Sequence, residues 1–143
     1  MSLHGNYDND NIFAKILRGE MPNVTVYEDD DVLAFMDVFP QSKGHVLVIP
    51  KMPSRNLLDA KPDVLATLIK HTQHIAKAVE VALSPDGVVI TQFNGAPAGQ
   101  TVFHLHFHII PRYEGTQSKP HASGAMADMA DLTNLAAKIK EKL

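Results

Sequence analysis

Nine residues, from Phe103 to Pro111, constrain this chain more than any other stretch. They read FHLHFHIIP, so three histidines alternate with apolar side chains. Strict alternation predicts a β-strand with one buried face, and residues i, i+2 and i+4 of a strand share a face. We therefore expect His104, His106 and His108 to project together, within about 7 Å end to end at the usual rise per residue. The opposite face should point into a core, and its members are Phe103, Leu105, Phe107 and Ile109.

The composition limits the class of protein. A length of 143 residues predicts a single domain spanning 1–143, large enough to bury a core. The net charge of −3 argues against broad binding to nucleic acid, which needs a basic surface. The absence of cysteine excludes disulfides and thiolate metal sites. A polar N-terminal region and the lack of a long apolar run predict no membrane association and a cytoplasmic location.

Periodicity and turn residues predict an α+β fold with an antiparallel five-stranded meander sheet, helices packed on it, and a C-terminal helix. A flexible segment, 1–10, should precede a helix over 11–18 that is capped by Asp10. A hairpin over 24–38, a strand over 45–49, a long helix over 62–83 and a strand over 88–93 should lead to the histidine strand. A mobile loop over 113–124 and a helix over 125–142 complete the chain.

Three interpretations of the histidine face remain open. A purely structural cluster would have to find partners for six ring nitrogens and would add little stability. A metal site is possible because imidazole is a common zinc ligand, and His45, His71, His74 and His121 could complete it. The third interpretation is nucleophilic catalysis, since a neutral imidazole is available near neutral pH and forms covalent intermediates.

The loop before the histidine strand favours the catalytic interpretation. Residues 94–101 read NGAPAGQT, and the glycines and small side chains would let main-chain N–H groups approach an anion closely. Gln100 and Thr101 add donors beside them. An anion cradle next to an imidazole nucleophile indicates attack at a phosphorus centre.

The histidine motif also resembles a known family. Residues 104–110, HLHFHII, are similar to the signature of the histidine triad (HIT) superfamily. The resemblance runs over about 11–112 and includes, in order, IFAKI at 12–16, GEMP at 19–22, YEDD at 27–30, AFMD at 34–37, PQ at 40–41, HVLVIPK at 45–51 and GQTV at 99–102.

Membership would imply a HIT-like α+β fold, a homodimer, and a nucleotide hydrolase or transferase acting at the α-phosphate. His106 would be the nucleophile and form a nucleotidyl-histidine, while His104 and His108 would orient it and assist with protons and phosphate oxygens. The resemblance implies a phosphate-binding set of Asn94, Gly99, Gln100 and Thr101. It implies a purine nucleoside-binding set of Asp37, Phe13, Ile16, Phe35 and Val38, with Asp37 accepting hydrogen bonds from the ribose hydroxyls.

The chain departs from the family pattern at two places. Many bacterial relatives hold a structural zinc with a Cys-x-x-Cys pair, and here those positions are similar to Asn11 and Ala14. A further histidine often follows the Pro-Lys after the third strand, where this chain has Met52 and Pro53. We therefore expect no structural zinc, no metal ligands and no required cofactor.

Two functional alternatives stay open from the sequence. The substrates could be phosphoramidates, as in the Hint branch, dinucleoside polyphosphates, as in the Fhit branch, or other nucleotidyl adducts. The chain could instead be a nucleotide-binding or scaffold protein with vestigial catalysis.

Overall fold

A computed structural model describes residues 2–116 and 126–143 of the chain. Its helices are α1 (Ile12–Leu17), α2 (Pro62–Leu83) and α3 (Met129–Lys140), and its strands are β1 (Thr25–Glu28), β2 (Val32–Met36), β3 (Val46–Pro50), β4 (Gly87–Thr91) and β5 (Phe107–Arg112). The α+β class and the C-terminal helix are confirmed. Part of the loop predicted over 113–124 lies outside the described residues. Within the described part of the chain, no helix combines the length and apolarity needed to cross a bilayer, and the cytoplasmic location stays a prediction.

The five strands form one antiparallel sheet in the order β1-β2-β3-β5-β4. The first three strands make the predicted meander, but the last two do not continue it. Helix α2 carries the chain across the sheet from β3, so β4 forms at the edge and β5 turns back to pair with both β3 and β4. The histidine strand therefore lies inside the sheet rather than at its end.

Apolar residues cover both faces of this sheet. One cluster lies between the sheet and helices α2 and α3, and includes Val48, Leu105 and Ile109. A second cluster on the other face packs Phe13 of α1 against β2 and β3. Strands β2 and β3 are buried along their whole length, as the continuous apolar run of β3 predicts. The face opposite Leu105 and Ile109 is the one on which α1 packs, and this is where the histidines lie.

Local chemistry shifts three of the predicted boundaries. The cap of α1 is Asn11 rather than Asp10, because the Asn11 Oδ1 atom accepts the N–H of Ala14 at 2.9 Å. Helix α3 begins at Met129 rather than near 125, because Asp128 caps it by accepting from two N–H groups. Strand β5 begins at Phe107 rather than Phe103, since the preceding residues bond outside the sheet.

The segment before β5 explains one wrong prediction. The N–H of Leu105 donates to the Ser54 carbonyl oxygen at 2.8 Å instead of to a strand. Phe103 does not enter the core; its ring lies under the Arg55 guanidinium, 4.4 Å from the ring centroid. The alternation still holds for Leu105, Phe107 and the histidines between and after them.

Candidate active site

His106 occupies the centre of the histidine face and is almost fully buried. Its Nδ1 atom lies 2.7 Å from the main-chain carbonyl oxygen of His104. A carbonyl oxygen only accepts, so Nδ1 must carry the proton, and in the neutral ring Nε2 then holds the lone pair. The ring of Phe13 packs edge-on against this imidazole with centroids 5.0 Å apart. The fold thus fixes both the tautomer and the plane of His106.

His104 is completely buried, and both of its ring nitrogens are engaged. Its Nε2 atom donates to the Pro50 carbonyl oxygen at 2.8 Å, and its Nδ1 atom accepts from the Tyr7 hydroxyl at 2.6 Å. Burial lowers the pKa of His104 to about 4, so the ring is neutral at physiological pH. These contacts fit the predicted orienting role, whereas direct assistance with protons or phosphate oxygens has no support in this geometry.

His108 is held by a separate series of hydrogen bonds that runs through His45. The main-chain N–H of Gln41 donates to Nδ1 of His45 at 3.0 Å, which places the His45 proton on Nε2. His45 Nε2 lies 2.9 Å from His108 Nδ1, so His108 accepts there and carries its own proton on Nε2. The rings of His106 and His108 are adjacent, with centroids 4.9 Å apart. Two adjacent rings thus differ at Nε2, which carries a lone pair in neutral His106 and a proton in His108.

Asp37 immediately follows β2 and its carboxylate is largely buried, with 13% of the side chain exposed. Burial raises its pKa to about 6, although the N–H of Phe39 donates to Oδ1 at 2.8 Å and opposes that shift. The other oxygen lies 3.5 Å from His45 Nε2. A buried carboxylate with an accepting oxygen next to a cavity suits recognition of hydroxyl groups.

A cavity of about 340 Å³ opens beside these groups, a size typical of small-molecule sites. Its lining is mostly apolar and includes His106, His108 and Thr101. All five residues predicted to bind the nucleoside line it: Phe13, Ile16, Phe35, Asp37 and Val38. The structure thus brings the predicted nucleoside set and the central histidine to one place.

The loop over 94–101 is built differently from the predicted anion cradle. The N–H groups of Gly99 and Gln100 donate back to the carbonyls of Ala96 and Gly95. The buried Gln100 side chain accepts from the Gly95 N–H at 2.8 Å and donates to the carbonyl of Arg55 at 2.8 Å. The main-chain N–H groups of Gly99 and Gln100 and the Gln100 side chain therefore stabilise the loop and its contact with Arg55. They do not point toward a ligand.

The other members of the predicted phosphate set differ in where they lie. The Asn94 side chain accepts the N–H of Leu57 at 3.0 Å and pairs with Gln92, so it ties the loop to its neighbour. Gly99 has a φ of 112°, a conformation that favours glycine, with the Phe93 ring packed against it. Thr101 is the member that lines the cavity beside His106, and its contact with phosphate stays a prediction.

The residues present do not fit the structural zinc of bacterial relatives. Asn11 uses its Oδ1 atom to cap α1, and Ala14 offers no ligand atom. Asp37, His45 and His108 do place one ligand atom each within 4.8 Å of one another. A metal-bound imidazole donates its other ring N–H to an acceptor, but Nδ1 of His45 meets the donor N–H of Gln41. His45 and His108 are instead joined to each other and to the Gln41 N–H by hydrogen bonds, with the Asp37 carboxylate 3.5 Å from His45 Nε2.

Sequence reasoning missed three contributors to the site. Met126 and Met129, before and at the start of α3, line the cavity, and the N–H of Ala127 donates to the Val38 carbonyl oxygen at 2.8 Å. Tyr7 reaches His104 across 97 positions of sequence. None of these residues stands in a local motif. The segment predicted to be flexible over 1–10 makes ordered contacts through Tyr7, and its flexibility stays a prediction.

The chain matches a family model described as the HIT domain over residues 18–115. It is similar to a solved Hit-like protein of Bartonella henselae, described as involved in cell-cycle regulation and crystallised with an unknown ligand. That chain is 53% identical, with a TM-score of 0.91 over 97% of this chain and 100% of the other.

Two curated relatives extend the comparison. The protein hit of Bacillus subtilis is 39% identical over 92% of this chain and 93% of its own length. The adenylylsulfatase HINT3 of Arabidopsis thaliana is 43% identical over 74% of this chain, which spans 54% of that longer protein.

Proposed function

The chain belongs to the HIT domain family, and on this basis we propose that it hydrolyses purine nucleoside 5′-phosphate derivatives at the α-phosphate. The family includes hydrolases, one of which is named an adenylylsulfatase. The observation that carries the proposal is the 2.7 Å contact between Nδ1 of His106 and the His104 carbonyl oxygen, which makes Nδ1 the protonated nitrogen and Nε2 the nucleophilic one in a ring that lines the cavity.

The first step forms a covalent intermediate. Nε2 of His106 attacks the α-phosphorus, the bond from phosphorus to the leaving group breaks, and the leaving group departs with that bond's electrons and takes up a proton. The Nε2–H of His108 is the adjacent donor for a phosphoryl oxygen or for the leaving atom. In the second step water attacks the nucleotidyl-histidine, and the nucleoside monophosphate is released with His106 restored.

The cavity supplies binding and orientation. Phe13, Phe35 and Ile16 offer apolar surface for a purine base, and Asp37 accepts hydrogen bonds from the ribose hydroxyls. Thr101 lines the same cavity, and we assign it a hydrogen bond to the phosphate. We assign no metal to these steps, because neutral imidazoles supply both the nucleophile and a hydrogen-bond donor.

The test compares wild-type protein with His106→Ala on a panel of purine nucleoside phosphoramidates, dinucleoside polyphosphates and adenosine 5′-phosphosulfate. His74→Ala, on the exposed side of α2, is the matched control. We expect kcat of His106→Ala to fall at least about a thousandfold, as it does when other enzymes lose their nucleophile. Nucleotide binding should be retained. Rapid quenching of the wild type should give one nucleotidyl group on the peptide that contains His106.

Two results would contradict the hydrolase proposal. Full turnover by His106→Ala would show that His106 is not the nucleophile. Saturable binding by the wild type without product on any substrate would favour the alternative, a nucleotide-binding or scaffold protein. The panel also separates the phosphoramidase and dinucleotide hydrolase classes by their ratios of kcat/KM.

The proposal includes a homodimer. Strand β4 is an edge of the sheet, and the Ile90 side chain on it is exposed. Ile69 of α2, also exposed, lines the same shallow depression as Ile90. A strand that is paired on one side only, beside exposed apolar side chains of a helix, is the kind of surface that a second copy of the chain covers, joining the two sheets.

A further inference from the structure

The carbonyl oxygen that sets the His106 tautomer belongs to a peptide unit held from its other side. The N–H of Leu105 donates to the Ser54 carbonyl oxygen at 2.8 Å. Because the peptide between His104 and Leu105 is planar, its carbonyl points the opposite way from that N–H, toward His106. The direction of this carbonyl therefore depends on how firmly residues 104 and 105 are held.

The His104 ring anchors the same peptide. Its Nε2 donates to the Pro50 carbonyl, so its Nδ1 has a lone pair that needs a donor in a fully buried place. The Tyr7 hydroxyl supplies that donor at 2.6 Å, and the two rings pack edge-on. With both nitrogens engaged, the ring cannot flip without leaving a buried polar atom unpaired.

Tyr7 is itself oriented as a donor. Burial raises the pKa of Tyr7, against the opposing effect of the neighbouring Asn11 side chain, so the phenol keeps its proton and donates it to His104 Nδ1. The Asn11 amide also donates to the Asp8 carbonyl at 2.7 Å. Asn11, the cap of helix α1, is therefore tied to the segment that carries Tyr7.

The N-terminal segment that carries Tyr7 is attached to the strand-to-helix connection below the site. The Arg55 guanidinium donates to the Ser2 carbonyl at 2.9 Å, and the Asn56 amide donates to the Leu3 carbonyl at 2.8 Å. Ser54, which holds the 104–105 peptide, adjoins Arg55. The connection over 54–56 therefore supports both the segment that carries Tyr7 and the peptide between His104 and Leu105.

We propose that Tyr7 is a positioning residue for the nucleophile: it locks the His104 ring so that the His104 carbonyl holds the Nδ1–H of His106. Tyr7 acts through His104 and does not line the nucleoside cavity. The inference rests on the proposed function for its effect on rate, but the tautomer it sets is measurable without any substrate.

The test uses Tyr7→Phe, which keeps the ring and removes the hydroxyl. Tyr113→Phe is the matched control, because the Tyr113 hydroxyl donates to the Lys43 carbonyl at 2.8 Å, away from the cavity. We expect Tyr7→Phe to lower kcat about tenfold with KM within twofold, since loosened geometry affects the reaction step more than binding. Tyr113→Phe should match the wild type in both constants.

Imidazole ¹⁵N NMR gives the second readout. In the wild type, His104 should be protonated at Nε2 and His106 at Nδ1. In Tyr7→Phe the His106 signal should move toward a mixture of tautomers, a change that a loss of stability alone does not cause.

The outcomes separate the two proposals. If kcat and the His106 tautomer of Tyr7→Phe both equal those of wild type, the positioning role is overturned. If the wild type turns over no nucleotide, the proposed function fails, and the NMR comparison still decides the role of Tyr7. A changed tautomer in Tyr7→Phe supports the role in either case.

Discussion

The Nδ1 atom of His106 lies 2.7 Å from the carbonyl oxygen of His104, two positions earlier in the chain. This contact predicts the atom that becomes modified. Because Nδ1 keeps its proton, the nucleotidyl group should attach to Nε2. Rapid-quench samples with ¹⁵N-labelled histidine, analysed by ³¹P–¹⁵N correlation NMR, should show the phosphorus bonded to the nitrogen remote from Cβ. Attachment at Nδ1 would contradict the tautomer derived from this contact.

The buried carboxyl group of Asp37 should lower the stability of the fold at the pH where its charge helps to bind the nucleotide. Burial raises its pKa from 3.8 to about 6, so the folded protein holds this proton more tightly than the unfolded chain. As pH rises through the interval between these values, the unfolded chain loses the proton first, and stability falls. Above pH 6, the contribution of this group alone should leave the free energy of unfolding about 2–3 kcal/mol lower than at low pH.

The variant Asp37→Asn should remove that fall. Urea denaturation at pH 5 and 7.5 should show Asp37→Asn more stable than wild type at the higher pH, with a smaller difference at pH 5. The exposed Asp30→Asn is the control and should follow the wild type. Nucleotide binding by Asp37→Asn should weaken at pH 7.5, because an amide offers one accepting oxygen where the carboxylate offers two, and it carries no negative charge. Unchanged affinity would refute the ribose contact.

The sequence predicts the parts of the site that depend on regular spacing. Alternation over the motif places the three histidines opposite Leu105 and Ile109, because the core accepts one face of the chain and rejects the other. The apolar pattern likewise predicts α2 from Pro62 to Leu83. These features follow from local sequence together with a single buried side.

Features that depend on distant partners are not predictable in this way. Gln100 is a plausible phosphate donor in a glycine-rich loop, but its side chain turns inward because Gly95 and Arg55 need hydrogen-bond partners. Asp10 and Asn11 are equally good caps by residue type, and the direction of the entering chain selects Asn11. Insertion of β5 between β3 and β4 follows from the path of α2, which no turn residue encodes.

Gly44 provides a test of packing beneath the sheet. Its φ is +92°, and an added Cβ would lie 2.3 Å from the Leu83 Cδ1 atom and 3.3 Å from the Pro111 Cγ atom. Gly44→Ala should therefore lower the free energy of unfolding by about 1–3 kcal/mol, through backbone strain and the displaced Leu83 side chain. Gly87→Ala is the control, because nothing lies within 4 Å of its Cβ position. Equal urea midpoints for the two variants would disprove the strain.

The edge strand β4 predicts how the chain associates. If two copies join along β4, a charge at the exposed Ile90 would be buried without a partner and would oppose association. Sedimentation equilibrium should give the wild type twice the 15.7 kDa chain mass and Ile90→Lys a mass near the single chain. Leu143→Lys, also a change from an exposed apolar residue to lysine, should remain dimeric because α3 packs toward the opposite edge, at β1. A wild type of single-chain mass, or a dimeric Ile90→Lys, would show that β4 does not mediate a dimer.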